Sequence, residues 1–73
     1  MTVYTYSLSY IDNRNHFNKV GMGTEEQLFD TAVALDRQGA ELIEAVREVW
    51  EQVDGIARFI KAQPYRMGKP VDE

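Results

Sequence analysis

The feature that most constrains this chain is a seven-residue apolar repeat in its second half. Leu28, Leu35, Leu42, Val49 and Ile56 recur at every seventh position, with Ala32, Gly39, Val46, Val53 and Ile60 between them. Such four-three spacing marks the seam of an amphipathic helix. The pattern passes through Gly39 without a slip. One glycine cannot reverse a chain between two helices, so the simplest reading is one helix from Thr24 to about Ala62, with a bend at Gly39 as the variant. Its start is well marked. Thr24-Glu25-Glu26-Gln27 has the form of a capping box, in which a hydroxyl and a carboxamide each satisfy a free amide. Gln63-Pro64 ends the pattern, because proline disfavours helical geometry in the residue before it.

The first half has a different period. In TVYTYSLSYI, Tyr4, Tyr6, Leu8 and Tyr10 alternate with Val3, Thr5, Ser7, Ser9 and Ile11. A strand puts these two sets on opposite faces. The turn-rich Asp12-Asn13-Arg14-Asn15 and a second run, His16 to Met22, complete a β-hairpin. Pairing Ile11 with His16 sets Tyr10 opposite Phe17 and Leu8 opposite Lys19, which adds Phe17 to the tyrosine face. The expected fold is therefore α+β: an N-terminal antiparallel hairpin over 1–23, one long amphipathic helix over 24–62 and a flexible tail over 63–73. Residues 1–62 form one small domain on this reading.

That helix is about 58 Å long at 1.5 Å per residue, more than one hairpin can cover. Phe29, Ile43, Trp50, Ala57 and Phe59 widen the apolar stripe. Partial cover by Tyr6, Leu8 and Tyr10 is the first expectation, with Trp50 buried beside Val46, Val49 and Val53. A homodimer through the stripe is the other way to cover it.

Composition narrows the function. The 73 residues hold no cysteine, which excludes disulfides and thiolate metal sites. No secretory pattern or long apolar run is present, and a cytoplasmic protein with no membrane segment is expected. Net charge is −4, and residues 24–62 carry nine acids against four bases. Such a balance offers no broad field for phosphate.

Catalytic chemistry finds little to work with. His16 is the lone histidine and sits beside a turn with no nucleophile or carboxylate pair at useful spacing. It lacks clustered partners for a metal. Gly21-Met22-Gly23 lacks the third glycine of a dinucleotide loop, and Glu25 and Glu26 repel phosphate at that helix start. The expectation is a non-enzyme with no cofactor and no metal.

Binding surfaces are the better prospect. Tyrosine supplies rigid contact area with a polar tip. Val3 and Tyr4 at the strand end, with Arg14, Asn15 and His16 at the hairpin tip, form the expected contact set. A helical side bearing Glu41, Glu44, Glu48 and Glu51 is a further docking face for a basic partner, with Glu44, Glu48 and Glu51 as its candidates.

The opening TVYTYSLSYIDNRNHF, the EEQLFD helix start, the length and the lack of a catalytic set together resemble the small lytic-phage regulators that bind host RNA polymerase. The resemblance implies binding to the largest subunit and the flap region near the RNA exit channel. It also implies inhibition of initiation by sigma displacement, and antitermination. Two rival readings stand beside it. One is an acidic, anti-CRISPR-like inhibitor whose glutamate ridge imitates phosphate. The other is a single-strand nucleic-acid binder that stacks bases on the tyrosines and holds phosphate with Arg14, Lys19 and Arg66.

Overall fold

A computed structural model describes residues 1–66 and 69–70. Their order is β1 (Thr2–Ile11), β2 (Phe17–Met22), α1 (Glu25–Arg37), β3 (Glu41–Val53), β4 (Ile56–Arg66) and a two-residue β5 (Lys69–Pro70). The strands form one antiparallel sheet in the order β2-β1-β3-β4-β5.

The long helix over 24–62 is therefore corrected to three turns and a half. α1 begins where the sequence places it. Thr24 is extended, with φ −136° and ψ 155°, and its hydroxyl accepts from the Gln27 amide at 3.1 Å. Gln27 reaches back to the amide of Gly23, one residue before the cap, also at 3.1 Å. The end is a Schellman turn at the residue the heptad ignores. Gly39 has φ +85°, its amide donates to the Asp36 carbonyl, and the Ala40 amide donates to the Leu35 carbonyl at 3.0 Å. A left-handed residue at this position stops a helix.

Beyond it, Asp54 and Gly55 both have positive φ, 54° and 78°. Val53 pairs with Ile56 across these two residues, which is the type I′ geometry that Asp-Gly favours in tight hairpins. The heptad residues are thus divided between two sheet faces. The expected tail boundary also moves: Gln63 to Arg66 continue β4. Met67, Gly68 and Val71 to Glu73 lie outside the described residues.

The first hairpin forms in a register one residue from the expected one. Ile11 pairs with Phe17, so Tyr10 opposes Asn18 and Leu8 opposes Val20. A one-residue slip moves every side chain to the other face. Phe17 accordingly leaves the tyrosine face and is two-thirds exposed, while Val20 and Met22 take the core positions. Asp12 sets this register. Its carboxylate accepts from the amides of Arg14 and His16, both at 2.9 Å, and from the Asn18 carboxamide at 3.2 Å. Asn15, with φ 66°, closes the turn.

The core lies between α1 and one sheet face. Tyr6, Leu8, Leu28 and Tyr65 are buried there, with Val20, Met22, Ala32, Leu35 and Ala45 packed around them. Tyr6 and Leu8 cover the helix as the alternation predicts, and Tyr65 joins them edge-on to Tyr6 at 5.4 Å. The Tyr65 hydroxyl donates to the Glu25 carboxylate, tying the end of β4 to the start of α1. α1 packs on β1, β2 and β3 but not on the length of β4. The opposite face of the sheet has no covering element among the described residues.

Candidate binding edge

The sheet is stepped, because neither outer strand matches the length of the strand it pairs with. β2 pairs with β1 only from Tyr6 to Ile11. Thr2 to Thr5 therefore pair with β3 on one side, opposite Glu51 to Glu48, and meet no strand on the other among the described residues. In an antiparallel strand alternate residues direct both N–H and C=O to the same side. This edge thus offers unpaired main-chain donors and acceptors to an added strand.

Val3 and Tyr4 stand on this edge and point to opposite faces. On the uncovered face Val3 lies opposite Trp50, which in turn lies opposite Phe59. Trp50 and Phe59 meet edge to face at 5.4 Å, and Phe59 is 55% exposed. The half-buried Trp50 donates its indole N–H to the Thr5 hydroxyl at 2.8 Å. The expected burial of Trp50 in a helix seam is thus replaced by a place on an open three-strand apolar row.

On the other face Tyr4 is 41% exposed. The Arg47 guanidinium sits 4.3 Å from its ring centroid and donates to the Gln63 carboxamide at 3.0 Å. Cation-over-ring contact holds the tyrosine in one orientation, and so less entropy is lost when a partner packs on it.

The remaining candidates are separated by the fold. Arg14, Asn15 and His16 stand together and exposed at the β1–β2 turn. That turn is at the far end of β1 from Val3 and Tyr4, roughly 27 Å away at about 3.4 Å per residue. His16 Nδ1 lies 4.0 Å from the Asp12 carboxylate. The His16 amide, followed by those of Arg14 and Asn18, holds the Asp12 carboxyl below the usual range.

The glutamates form no ridge. Glu44 opposes Ser9 and Glu48 opposes Thr5 on the uncovered face, whereas Glu51 opposes Thr2 on the helix face. Glu51 is also occupied within the chain, accepting from the Met1 ammonium at 2.6 Å and the Thr2 hydroxyl at 3.1 Å. The ammonium bond, then the hydroxyl, lowers its pKa. One Glu48 carboxylate oxygen is buried with no hydrogen-bond partner among the described residues.

Sequence reasoning named Val3 and Tyr4 as contacts, set Trp50 and Phe59 in a helix stripe and passed over Arg47. The signal that places the two rings is Asp54-Gly55 between two apolar runs, since that turn brings Phe59 beside Trp50. Among the described residues no three His, Asp or Glu side chains gather as metal ligands, and no helix is long and apolar enough to cross a membrane. Comparison with protein-family models, curated proteins and solved structures finds no match to this chain.

Proposed function

We propose that this chain is a non-enzymatic regulator that binds bacterial RNA polymerase in the host cytoplasm, at the largest subunit and flap region. On this reading it acts by sigma displacement at initiation and by antitermination during elongation. The opening stretch resembles those of small phage regulators that bind this enzyme. What supports the reading in the molecule is the half-open edge at Thr2 to Thr5, with Val3 and Tyr4 on its two faces. A polymerase segment adds there as a strand, seats one side chain against Val3 and Trp50, and another against Tyr4 and Arg47. Arg14, Asn15 and His16 make a second, separate contact.

The phosphate-mimic alternative loses its ridge, because Glu44 and Glu48 face one way and Glu51 the other. Purified polymerase core provides the test. Val3→Asp and Tyr4→Ala should each weaken binding by about tenfold or more, as expected for contacts at an interface centre. Arg14→Glu should weaken it less, through repulsion at the rim. Unchanged affinity in both Val3→Asp and Tyr4→Ala overturns the edge as the contact. Absence of polymerase binding by the parent chain overturns the function.

A further inference from the structure

A second half-open edge lies diagonally across the sheet, and it is built differently. β3 pairs with β4 only from Val46, opposite Pro64, onward. Glu41 to Ala45 are bound to β1 on one side and meet no strand on the other among the described residues. Here the edge opens into a groove of about 620 Å³ beneath α1. Phe29 and Ala32 form its helix wall, Leu42 and Ile43 its strand wall, and Tyr65 closes one end. Phe29 is 44% exposed and Ile43 51% exposed, so apolar surface faces the opening from both walls.

The segments that wall this groove are mostly acidic, although its lining holds one base, Arg66, beside Glu44. Residues 25–44 carry Glu25, Glu26, Asp30, Asp36, Glu41 and Glu44 against the single base Arg37, a formal −5. By contrast β4 carries Arg58, Lys61 and Arg66 and no acid. β4 also has the longest unpaired edge, from Ile56 to Pro64, but that edge is blunted. It has a bulge where Val49 and Trp50 pair with Lys61 and Phe59, two cations and a proline. Those are the devices by which proteins discourage strand addition. The β3 half-edge carries no cation and no proline and has a roof, although it has a bulge of its own at Ile43, where Ser9 and Tyr10 pair with Glu44 and Leu42.

We infer that the groove binds an extended, basic segment of a partner protein, added as a strand along Glu41 to Ala45. Main-chain hydrogen bonds to β3 hold it, alternate apolar side chains enter between Phe29 and Leu42, and the intervening Lys or Arg side chains meet the acidic flanks. Five residues at about 3.3 Å each give a footprint of roughly 17 Å. A second copy placed groove to groove is opposed by its own charge, since two mostly acidic surfaces would face each other. This site is separate from the Thr2 to Thr5 edge and does not depend on polymerase as the partner.

The probes are capped heptapeptides titrated into the full chain at low salt and followed by backbone amide NMR. The first is Lys-Val-Lys-Ile-Lys-Val-Lys. It should shift the Phe29 and Glu41 to Ala45 amides and slow exchange in that strand. Replacing its lysines by glutamate should abolish the effect, as should N-methylating its alternate backbone amides on the pairing side. Replacing its valines and isoleucine by serine should weaken binding about tenfold, in line with the loss of apolar burial.

On the protein, Glu41→Lys with Glu44→Lys should reduce affinity about tenfold or more, and Ile43→Lys should prevent binding while circular dichroism remains unchanged. Phe29→Ala serves as a second groove variant should Ile43→Lys disturb the fold. Equal binding of the N-methylated peptide overturns strand addition. Equal binding of the serine peptide shows charge attraction alone and overturns the groove. Self-association that disappears in the Glu41→Lys, Glu44→Lys chain overturns the foreign partner, giving the groove to β4 of a second copy.

Discussion

The two half-open edges arise from the same cause and differ in what lies over them. Thr2 to Thr5 and Glu41 to Ala45 are each left free because the neighbouring strand is offset. The first is a bare strand with both faces reachable, where Val3 sits on an apolar row and Tyr4 is steadied by Arg47. The second is roofed by α1, reachable through a groove, and flanked mostly by acids, with Arg66 as the base in its lining. Unpaired backbone is common to both and selects nothing by itself. Selection comes from the neighbours, which make one edge an aromatic clamp and the other an acidic channel.

The comparison breaks most readily at the roof. Leu28 is the buried contact between α1 and the sheet, at 3% exposure. Leu28→Ala should cost about 2 to 5 kcal/mol, measured by urea unfolding, and the acidic groove should lose its peptide site. A loss below about 1 kcal/mol would mean that α1 is not anchored there, leaving the two edges equivalent.

Gly39 tests the roof from its other end. A Cβ at Gly39 meets no atom within 4 Å, so the cost of Gly39→Ala lies in its φ of +85°. The change should destabilise by about 1 to 2 kcal/mol. A gain in stability would restore the continuous helix and remove the β3 edge altogether.

The bare edge is probed by Thr5→Val, which deletes the acceptor of the Trp50 indole. A loss of about 1 kcal/mol is expected, with altered Trp50 fluorescence and no change at the β3 groove. Coupling to the groove would show that the edges are not independent.

The smallest effect concerns the turn that sets the β1–β2 register. Because the folded pKa of Asp12 lies below its ordinary value, its contribution is fully present above about pH 4 and is lost as pH falls through the folded value. Turn amides of Arg14 and His16 should shift in that acid window in the parent chain and stay constant in Asp12→Ala. Titration of these amides between pH 5 and 7 instead would place the control elsewhere.

The parts legible in the sequence are those where one signal acts alone. The Tyr6 and Leu8 alternation has small polar residues on its other side, so its period of two is plain. Thr24 to Gln27 carries its cap in four residues. β3 hides its period because both of its faces carry apolar residues among charged ones. Ala45 and Val49 point to the helix side while Val46 and Trp50 point away, and two superposed alternations imitate a four-three repeat. The β-branched and aromatic content of Val46, Val49, Trp50, Val53, Ile56, Phe59 and Ile60 argued for strands. Asp54-Gly55 argued for a turn between them. The pairing of β1 with β3, which joins the two hairpins into one sheet, depends on long-range register, for which the sequence carries no local signal.

Amide hydrogen exchange at Thr2 to Thr5, read on the chain alone and after binding to polymerase core, is the most direct test. In the free protein alternate amides of this stretch should exchange rapidly while their neighbours, bonded to β3, exchange slowly. On binding, the rapid set should slow by an order of magnitude or more, as expected when exposed amides enter a strand ladder. Stoichiometric polymerase binding with those amides still rapid would contradict the account, because a partner would then be held without using the edge.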